Sequence, residues 1–285
     1  MSNKKTCIIV DSCSGIKNNE IKDVYCLPLT IIENDDGQEK IYADLTEINI
    51  VDVIKKISSK KDLKTSQTSM GEMLDIFEKL TPKYERIFVV PISSGLSGSY
   101  ETWNIAKEEF ENSEIHIVNS KDLGPGNKAV VELLIEMIKQ NKSPEEILKK
   151  VEERKKKRYG CLVVTDLEQL KKGGRINTFK ALIAKTLKFN IIISFDGSLD
   201  FYDKDRSLEK AIDKSLEKIN KETNYLSKGI KNAFFYTSFL DDNKNAEIKK
   251  IIDSKLNVTT EQSYIPSVIA VHTGPNAFAI YIETK

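Results

Sequence analysis

The chain has 285 residues, 40% of them hydrophobic and 31% charged, which predicts two globular domains with cores of their own. Its formal net charge of +1 gives no overall field that would steer nucleic acid, so we expect no nucleic-acid partner. No apolar segment follows the N-terminal lysines, and no stretch reaches the roughly 20 apolar residues of a membrane span, so we expect a cytoplasmic protein without a secretory signal.

Short apolar runs alternate with amphipathic segments along the chain. The apolar runs predict strands at residues 6–10, 25–32, 87–92, 115–118, 160–164, 190–195, 199–202, 231–237, 258–264 and 278–283. The amphipathic segments predict helices from a cap at Thr46 to about 57, at 71–80, from 100 onward, at 127–140, from 143 onward, and at 177–188, 207–219 and 243–255. This alternation predicts an α/β fold of two domains, 1–158 and 159–285, with mainly parallel sheets.

The four cysteines, at positions 7, 13, 26 and 161, are scattered and have no histidine cluster beside them. No pair has the C-x-x-C spacing of a zinc or redox site. We therefore expect neither a metal site nor a disulfide framework.

The serine- and glycine-rich loop at residues 93–99 joins a predicted buried strand to a predicted helix. Such a loop leaves backbone N–H groups unpaired at the helix start, where the helix dipole favours an anion. By itself such a loop is more often a helix N-cap and a turn than an anion-binding site. Polar loops with similar chemistry occur at residues 11–15, 64–69, 120–127, 171–175 and 271–275. Because ligands in open α/β sheets bind at the carboxyl ends of strands, these loops could share one crevice.

Five of these segments, taken in order, resemble the motifs of the DegV family of lipid-binding proteins. The matching segments are Val10-Asp11-Ser12, Lys64-Thr65-Ser66-Gln67, Ser93-Ser94-Gly95-Leu96-Ser97-Gly98, Leu170-Lys171-Lys172-Gly173-Gly174-Arg175-Ile176 and His272-Thr273-Gly274. The match runs nearly from end to end of the chain. The family includes the fatty-acid-binding subunit of bacterial fatty acid kinase. The resemblance implies two α/β domains with a long-chain fatty acid enclosed between them.

The resemblance also implies roles for individual residues. The hydroxyls of Thr65 and Ser97, with His272 close by, are expected to hold the carboxyl group of the fatty acid. Arg175 and Arg206 are expected to contact phosphate or the partner. A carboxylate removed from water must be hydrogen-bonded or paired, and two hydroxyls with a histidine that can be protonated meet that need without a metal.

The same resemblance implies a carrier that catalyses nothing by itself. It would present the bound acid to a separate ATP-dependent kinase subunit, which converts it to an acyl phosphate. The ligand is the fatty acid, no cofactor is expected, and brief membrane contact during lipid exchange is compatible with the role. Two residues depart from the family pattern: Thr68 replaces a proline, which should loosen that turn, and Cys13 replaces a threonine.

Other interpretations of these residues stay open at this point. A serine hydrolase would use Ser97 as nucleophile, His272 as base and Asp11 to orient the base, although a G-x-S-x-G elbow is lacking. A phosphotransferase acting alone would need a nucleotide-binding fingerprint, and the sequence contains none. His272 could instead satisfy a backbone carbonyl, and Arg175 could be a cation at a helix end. His116 and Trp103 are predicted to be structural.

Overall fold

The computed structural model describes residues 4–35, 37–175 and 189–285. The chain divides into two compact units: Met1–Ile48 with Thr65–Lys155, and Asn49–Lys64 with Lys156–Lys285. The domain division at residues 158 and 159 stays a prediction, and the helix predicted at 177–188 lies outside the described residues. No helix in the described part of the chain is both long and apolar enough to cross a bilayer.

The strands, in chain order, are β1 (Thr6–Asp11), β2 (Val24–Leu27), β3 (Thr30–Asp35), β4 (Gln38–Ala43), β5 (Asp62–Ser66), β6 (Arg86–Val90), β7 (Glu114–Ile117), β8 (Arg158–Val164), β9 (Asn190–Phe195), β10 (Leu199–Asp205), β11 (Ile230–Thr237), β12 (Glu261–Tyr264) and β13 (Ala277–Thr284). The helices are α1 (Ile50–Ser58), α2 (Met70–Leu80), α3 (Ser99–Glu108), α4 (Pro125–Lys139), α5 (Pro144–Lys155), α6 (Glu168–Lys172), α7 (Leu208–Thr223), α8 (Tyr225–Lys228), α9 (Asp242–Leu256) and α10 (Ser267–Thr273). The alternation of strands and helices confirms the α/β class.

The main sheet of the first unit is wholly parallel, with strand order β2-β1-β6-β7. Its central strand β1 is apolar on both faces because helices cover both sides. Trp103 of α3 packs against Phe77 of α2 with ring centroids 5.2 Å apart, which confirms its place in the core. From β1 the chain passes to β2 on one side of the sheet, and from β6 it passes to β7 on the other side. The loops that follow β1 and β6 therefore meet at a topological switch point.

A smaller sheet has the order β4-β3-β5, and its strands were predicted poorly. The single strand expected at residues 25–32 is two strands, separated at Pro28, because proline has no N–H to donate to a sheet ladder. β4 carries charged and exposed residues instead of an apolar run, and β5 is similarly polar. The helix expected from position 46 begins at Ile50, after an Asn49 cap that accepts the N–H groups of Val51 and Asp52.

The second unit contains a six-stranded sheet with the order β10-β9-β8-β13-β11-β12. The expectation of a mainly parallel sheet is wrong here, because only β11 and β12 run parallel. Two features explain the difference. β9 and β10 are joined by a short turn at Gly197, whose φ of +87° suits glycine, and β13 inserts antiparallel between β8 and β11. Helices α7 and α9 bury their apolar faces against this sheet.

Glu114, at the start of β7, contacts two cationic side chains and one imidazole ring. Its Oε2 accepts a hydrogen bond from Lys4 at 2.6 Å, and its Oε1 lies 2.7 Å from Arg86 Nε and 3.4 Å from His116 Nε2. The His116 ring also stacks on Phe88 at 5.1 Å, which supports a structural role for this histidine. Burial alone would raise the pKa of Glu114, but these hydrogen bonds outweigh it and lower the pKa to about 2.

The Glu114 pKa predicts a pH-dependent contribution to stability. Because the folded pKa is depressed, the stabilisation is fully present above the usual value of 4.5 and is lost as pH falls toward about 2. Glu114→Gln should therefore lower the free energy of unfolding by about 1 kcal/mol at neutral pH. Urea unfolding at a series of pH values should show the deficit shrinking below pH 4.5. Exposed Glu111→Gln is the control, and an equal, pH-independent deficit in both variants would contradict the assignment.

Candidate functional site

Asp11 is the last residue of β1, and its carboxylate accepts hydrogen bonds from two backbone N–H groups. Its Oδ2 accepts the N–H of Ile92 at 2.6 Å and its Oδ1 accepts the N–H of Cys13 at 3.1 Å. The side chain is 2% exposed, and this burial raises the pKa of Asp11 to about 7. Asp11 therefore ties the end of β1 to the segment after β6. The structure shows Asp11 in this bracing role and gives no support to Asp11 as the orienting acid of a hydrolase.

Cys13, the residue that replaces a threonine in the family pattern, is fully buried. Burial raises the pKa of its thiol well above the usual value, and the charge of Asp11 adds to this effect. All four cysteines of the chain are free and buried. Among the described residues, no group of three or more His, Cys, Asp or Glu side chains is placed to hold a metal ion.

Ser97 lies in the loop between β6 and α3, two residues before the start of the helix. The loop is tightened by the N–H groups of Leu96 and Ser97, which both donate to the carbonyl of Ser93. The Oγ of Ser97 accepts the N–H of Ser99, the first residue of α3, at 3.2 Å. The half-buried hydroxyl has no acceptor for its own proton among the described residues. Ser97 therefore lies near the N-terminus of α3, and its assignment to the fatty-acid carboxyl group stays a prediction.

Thr65 lies in β5, also in the first unit, and is half-buried. The chain after it is fixed by two side chains. Gln67 donates from Nε2 to Thr102 Oγ1 of α3 at 2.7 Å, and Thr68 donates from Oγ1 to the carbonyl of Pro28 at 3.1 Å. Thr68 was expected to loosen this turn, but its hydroxyl holds the turn with a bond that proline could not make.

His272 lies in the last turn of α10 and not in a loop as expected from the sequence. The imidazole is 9% exposed, and burial, with the charge of Arg175 as a second cause, lowers its pKa to about 4. His272 is therefore neutral near pH 7 in the free protein. In this state it can donate one N–H hydrogen bond but carries no charge.

Gly173, at the end of α6, packs against His272. A Cβ at Gly173 would lie 2.0 Å from His272 Nδ1, a distance that no side chain tolerates. The next glycine of that loop, Gly174, has φ +70°, the left-handed conformation that ends a helix. Two of the sequence motifs, about 100 residues apart, therefore meet within the second unit. The contact explains why the α6 motif contains a glycine at this position.

The two arginines of the predicted site also lie in the second unit. Arg175 is exposed and donates from Nη1 to the carbonyl of Gly173 at 2.6 Å. Arg206 precedes α7 and lies 5.1 Å from the ring centroid of Phe189, which Lys204 also approaches at 4.8 Å. Neither guanidinium forms an ion pair with a carboxylate in the described part of the chain. Their assignment to phosphate or a partner stays a prediction.

Sequence reasoning missed two residues of this region, Gln67 and Thr102. Gln67 belongs to one of the segments that match the family, but the sequence assigns no role to it or to Thr102. A usable signal existed for Thr102, because a hydroxyl four residues after Gly98 can reach its carbonyl in a helix. The partner of Gln67, by contrast, is 35 residues away in the chain and follows only from the tertiary structure.

Comparison with known proteins gives a consistent result. A family model described as "Uncharacterised protein, DegV family" matches residues 5–285. A DegV domain-containing protein of Mycoplasma genitalium is 35% identical, with 97% of each chain covered. A structure described as a fatty acid binding DegV family protein of Streptococcus agalactiae superposes with a TM-score of 0.86 at 25% identity, covering 99% of each chain. DegV of Bacillus subtilis, described as a fatty acid binding protein, has a TM-score of 0.83 at 25% identity and covers 99% of this chain and 100% of its own.

Proposed function

Since this chain belongs to the DegV family, we propose that it binds a long-chain fatty acid and presents it to a separate ATP-dependent kinase subunit, which forms the acyl phosphate. On this proposal the protein is a cytoplasmic carrier and catalyses nothing by itself. The solved relatives that are described as fatty acid binding proteins support the ligand class. The kinase partner rests on the family resemblance, and brief membrane contact would accompany loading.

One observation carries the head-group part of the proposal, the hydroxyl of Ser97. This hydroxyl stands at the N-terminus of α3 with its proton available, where backbone N–H groups and the helix dipole add to its attraction for an anion. We assign the fatty-acid carboxyl group to Thr65, Ser97 and His272. A neutral His272 would contribute a hydrogen bond to that group without a charge of its own.

The acyl chain would supply most of the affinity. Burying one CH₂ group contributes about 0.8 kcal/mol, so a chain of about 16 carbons could contribute on the order of 10 kcal/mol before the entropic cost of binding. The head group would then contribute little of the total affinity but would determine which class of lipid is bound. This division predicts that the carrier distinguishes a fatty acid from the alcohol of equal length.

Titration of delipidated protein with a long-chain fatty acid tests the binding proposal. We expect saturation near one acid per chain and weaker binding of the matched alcohol. No saturable binding of any chain length would overturn it. Hydrolysis of an activated ester, lost in Ser97→Ala, would instead support the serine hydrolase.

Transfer of the bound acid to the kinase subunit should depend on the two arginines, whereas binding of the acid should not. Guanidinium groups suit phosphate oxygens, so Arg175→Ala and Arg206→Ala should retain fatty-acid uptake and reduce acyl phosphate formation with a kinase subunit and ATP. Lysine substitutions should restore activity only in part. Acyl phosphate measured after equal lipid loading separates the two steps. Loss of lipid uptake in folded variants would place the arginines at the carboxyl site, and full transfer activity would leave Arg175 as a helix-end cation.

A further inference from the structure

A side-chain amide connects the two segments that carry the hydroxyls of the first unit. Gln67, half-buried after β5, donates from Nε2 to Thr102 Oγ1 at 2.7 Å. The Thr102 hydroxyl in turn donates to the carbonyl of Gly98 at 3.2 Å. Because that bond uses the one proton of the hydroxyl, its oxygen must accept from Gln67, and this fixes the orientation of the amide.

The same amide packs against the residue that follows Ser97. A Cβ at Gly98 would lie 3.3 Å from Gln67 Oε1, so even an alanine there would press on the amide. Gly98 is the N-cap of α3 and has no side chain with which to cap the helix. The residue before it, Ser97, accepts the Ser99 N–H with its Oγ instead. Gln67 thus contacts the chain one residue from Ser97 and is itself two residues from Thr65.

We propose that Gln67 is a positioning residue that fixes the hydroxyl of Ser97 relative to that of Thr65 and so sets the preference for a carboxylate head group. The inference rests on the proposed function, in which both hydroxyls donate to one carboxyl group. Two donors reinforce each other only when both meet the short distances and near-linear angles of good hydrogen bonds. Contacts with the acyl chain do not depend on this alignment.

A purely structural role for Gln67 makes a different prediction. Loss of a structural hydrogen bond would lower stability and weaken the binding of fatty acid and fatty alcohol by the same factor. Loss of alignment would weaken the binding of the acid selectively, because the carboxylate depends on both donors. The ratio of the two dissociation constants therefore distinguishes the two roles, and the melting temperature does not.

The test is a double-mutant cycle on the full chain with a fatty acid and the alcohol of equal length. Gln67→Met keeps the size of the side chain and removes the hydrogen bond, and Thr102→Val removes the acceptor. Each should raise the acid Kd about five- to tenfold, with the alcohol Kd changed less than about twofold. The double variant should be no worse than either single one, and Thr102→Ser should restore acid binding. Gln140→Met, which removes a similar bond between Gln140 and Glu136 on α4, is the control and should change neither Kd.

Two negative results have different meanings. If the wild-type protein binds acid and alcohol equally, the proposed carboxyl site is wrong and Gln67 has nothing to position. If the wild type prefers the acid, Ser97→Ala abolishes that preference and Gln67→Met and Thr102→Val both keep it, the carboxyl site stands and the inference about Gln67 is overturned.

Discussion

Replacing Ser97 by alanine is expected to weaken binding of a long-chain fatty acid by roughly 10- to 100-fold, because a hydrogen bond to a charged acceptor contributes about 1.5–3 kcal/mol. Binding of the alcohol of equal length should change far less. Thr65→Val should show the same selective loss, since both hydroxyls are assigned to one carboxyl group. Isothermal titration with both ligands measures the effect.

The controls for this result follow from the contacts of Ser97. Its Oγ also accepts the Ser99 N–H, so Ser97→Ala removes a hydrogen bond to the first residue of α3 and should lower stability by about 1 kcal/mol. That loss affects acid and alcohol alike. Ser94→Ala, in the same loop, removes a hydrogen bond to Asn119 and should leave the preference for the acid unchanged. Equal loss of acid and alcohol binding in Ser97→Ala would mean general disruption of the loop.

Replacing Gly173 by alanine is expected to destabilise the second unit by about 1–3 kcal/mol, the usual range for overpacking a filled interior. The new methyl group would stand 2.0 Å from His272 Nδ1, and the imidazole is too buried to move aside freely. Displacement of the ring should also weaken fatty-acid binding if His272 contacts the carboxyl group. Chemical denaturation and fatty-acid titration of the same variant measure the two effects.

A second substitution tests the cause of this destabilisation. In a His272→Ala background the methyl group meets no ring, so Gly173→Ala should there have little further effect. Gly71→Ala is the matched control: nothing lies within 4 Å of a Cβ at that position in α2, so alanine should be neutral or stabilising. Additive effects of the two second-unit substitutions would contradict a direct contact as the cause.

Local sequence signals predicted single strands and helices better than they predicted how the strands pair. β1 and β6 are short apolar runs, and the serine loop before α3 carries its own turn and cap chemistry, so each could be identified from neighbouring residues. The position of β13 between β8 and β11 depends on pairing between distant segments, which local pattern does not encode. Pro28 was a missed signal, since it marks the break between β2 and β3.

Local sequence also predicted some features of the candidate site, whereas others depend on tertiary structure. The position of Ser97 near a helix start follows from a strand, a loop and a helix in sequence, whereas its role toward the carboxyl group stays a prediction. The helical position of His272 was missed because α10 is only seven residues long and almost wholly buried, so it has no polar face to reveal its period. Its neutral state could not be predicted either, because the pKa depends on burial and on Arg175.

Native mass spectrometry of gently purified protein, with extraction and identification of bound lipid, tests the central claim most directly. We expect a mass increment of one long-chain fatty acid per chain that survives purification. We also expect that Ser97→Ala and Thr65→Val lose most of this increment during the same procedure, whereas Ser94→Ala retains it. Protein that yields only water-soluble molecules, or takes up no fatty acid after loading with excess ligand, would contradict the account.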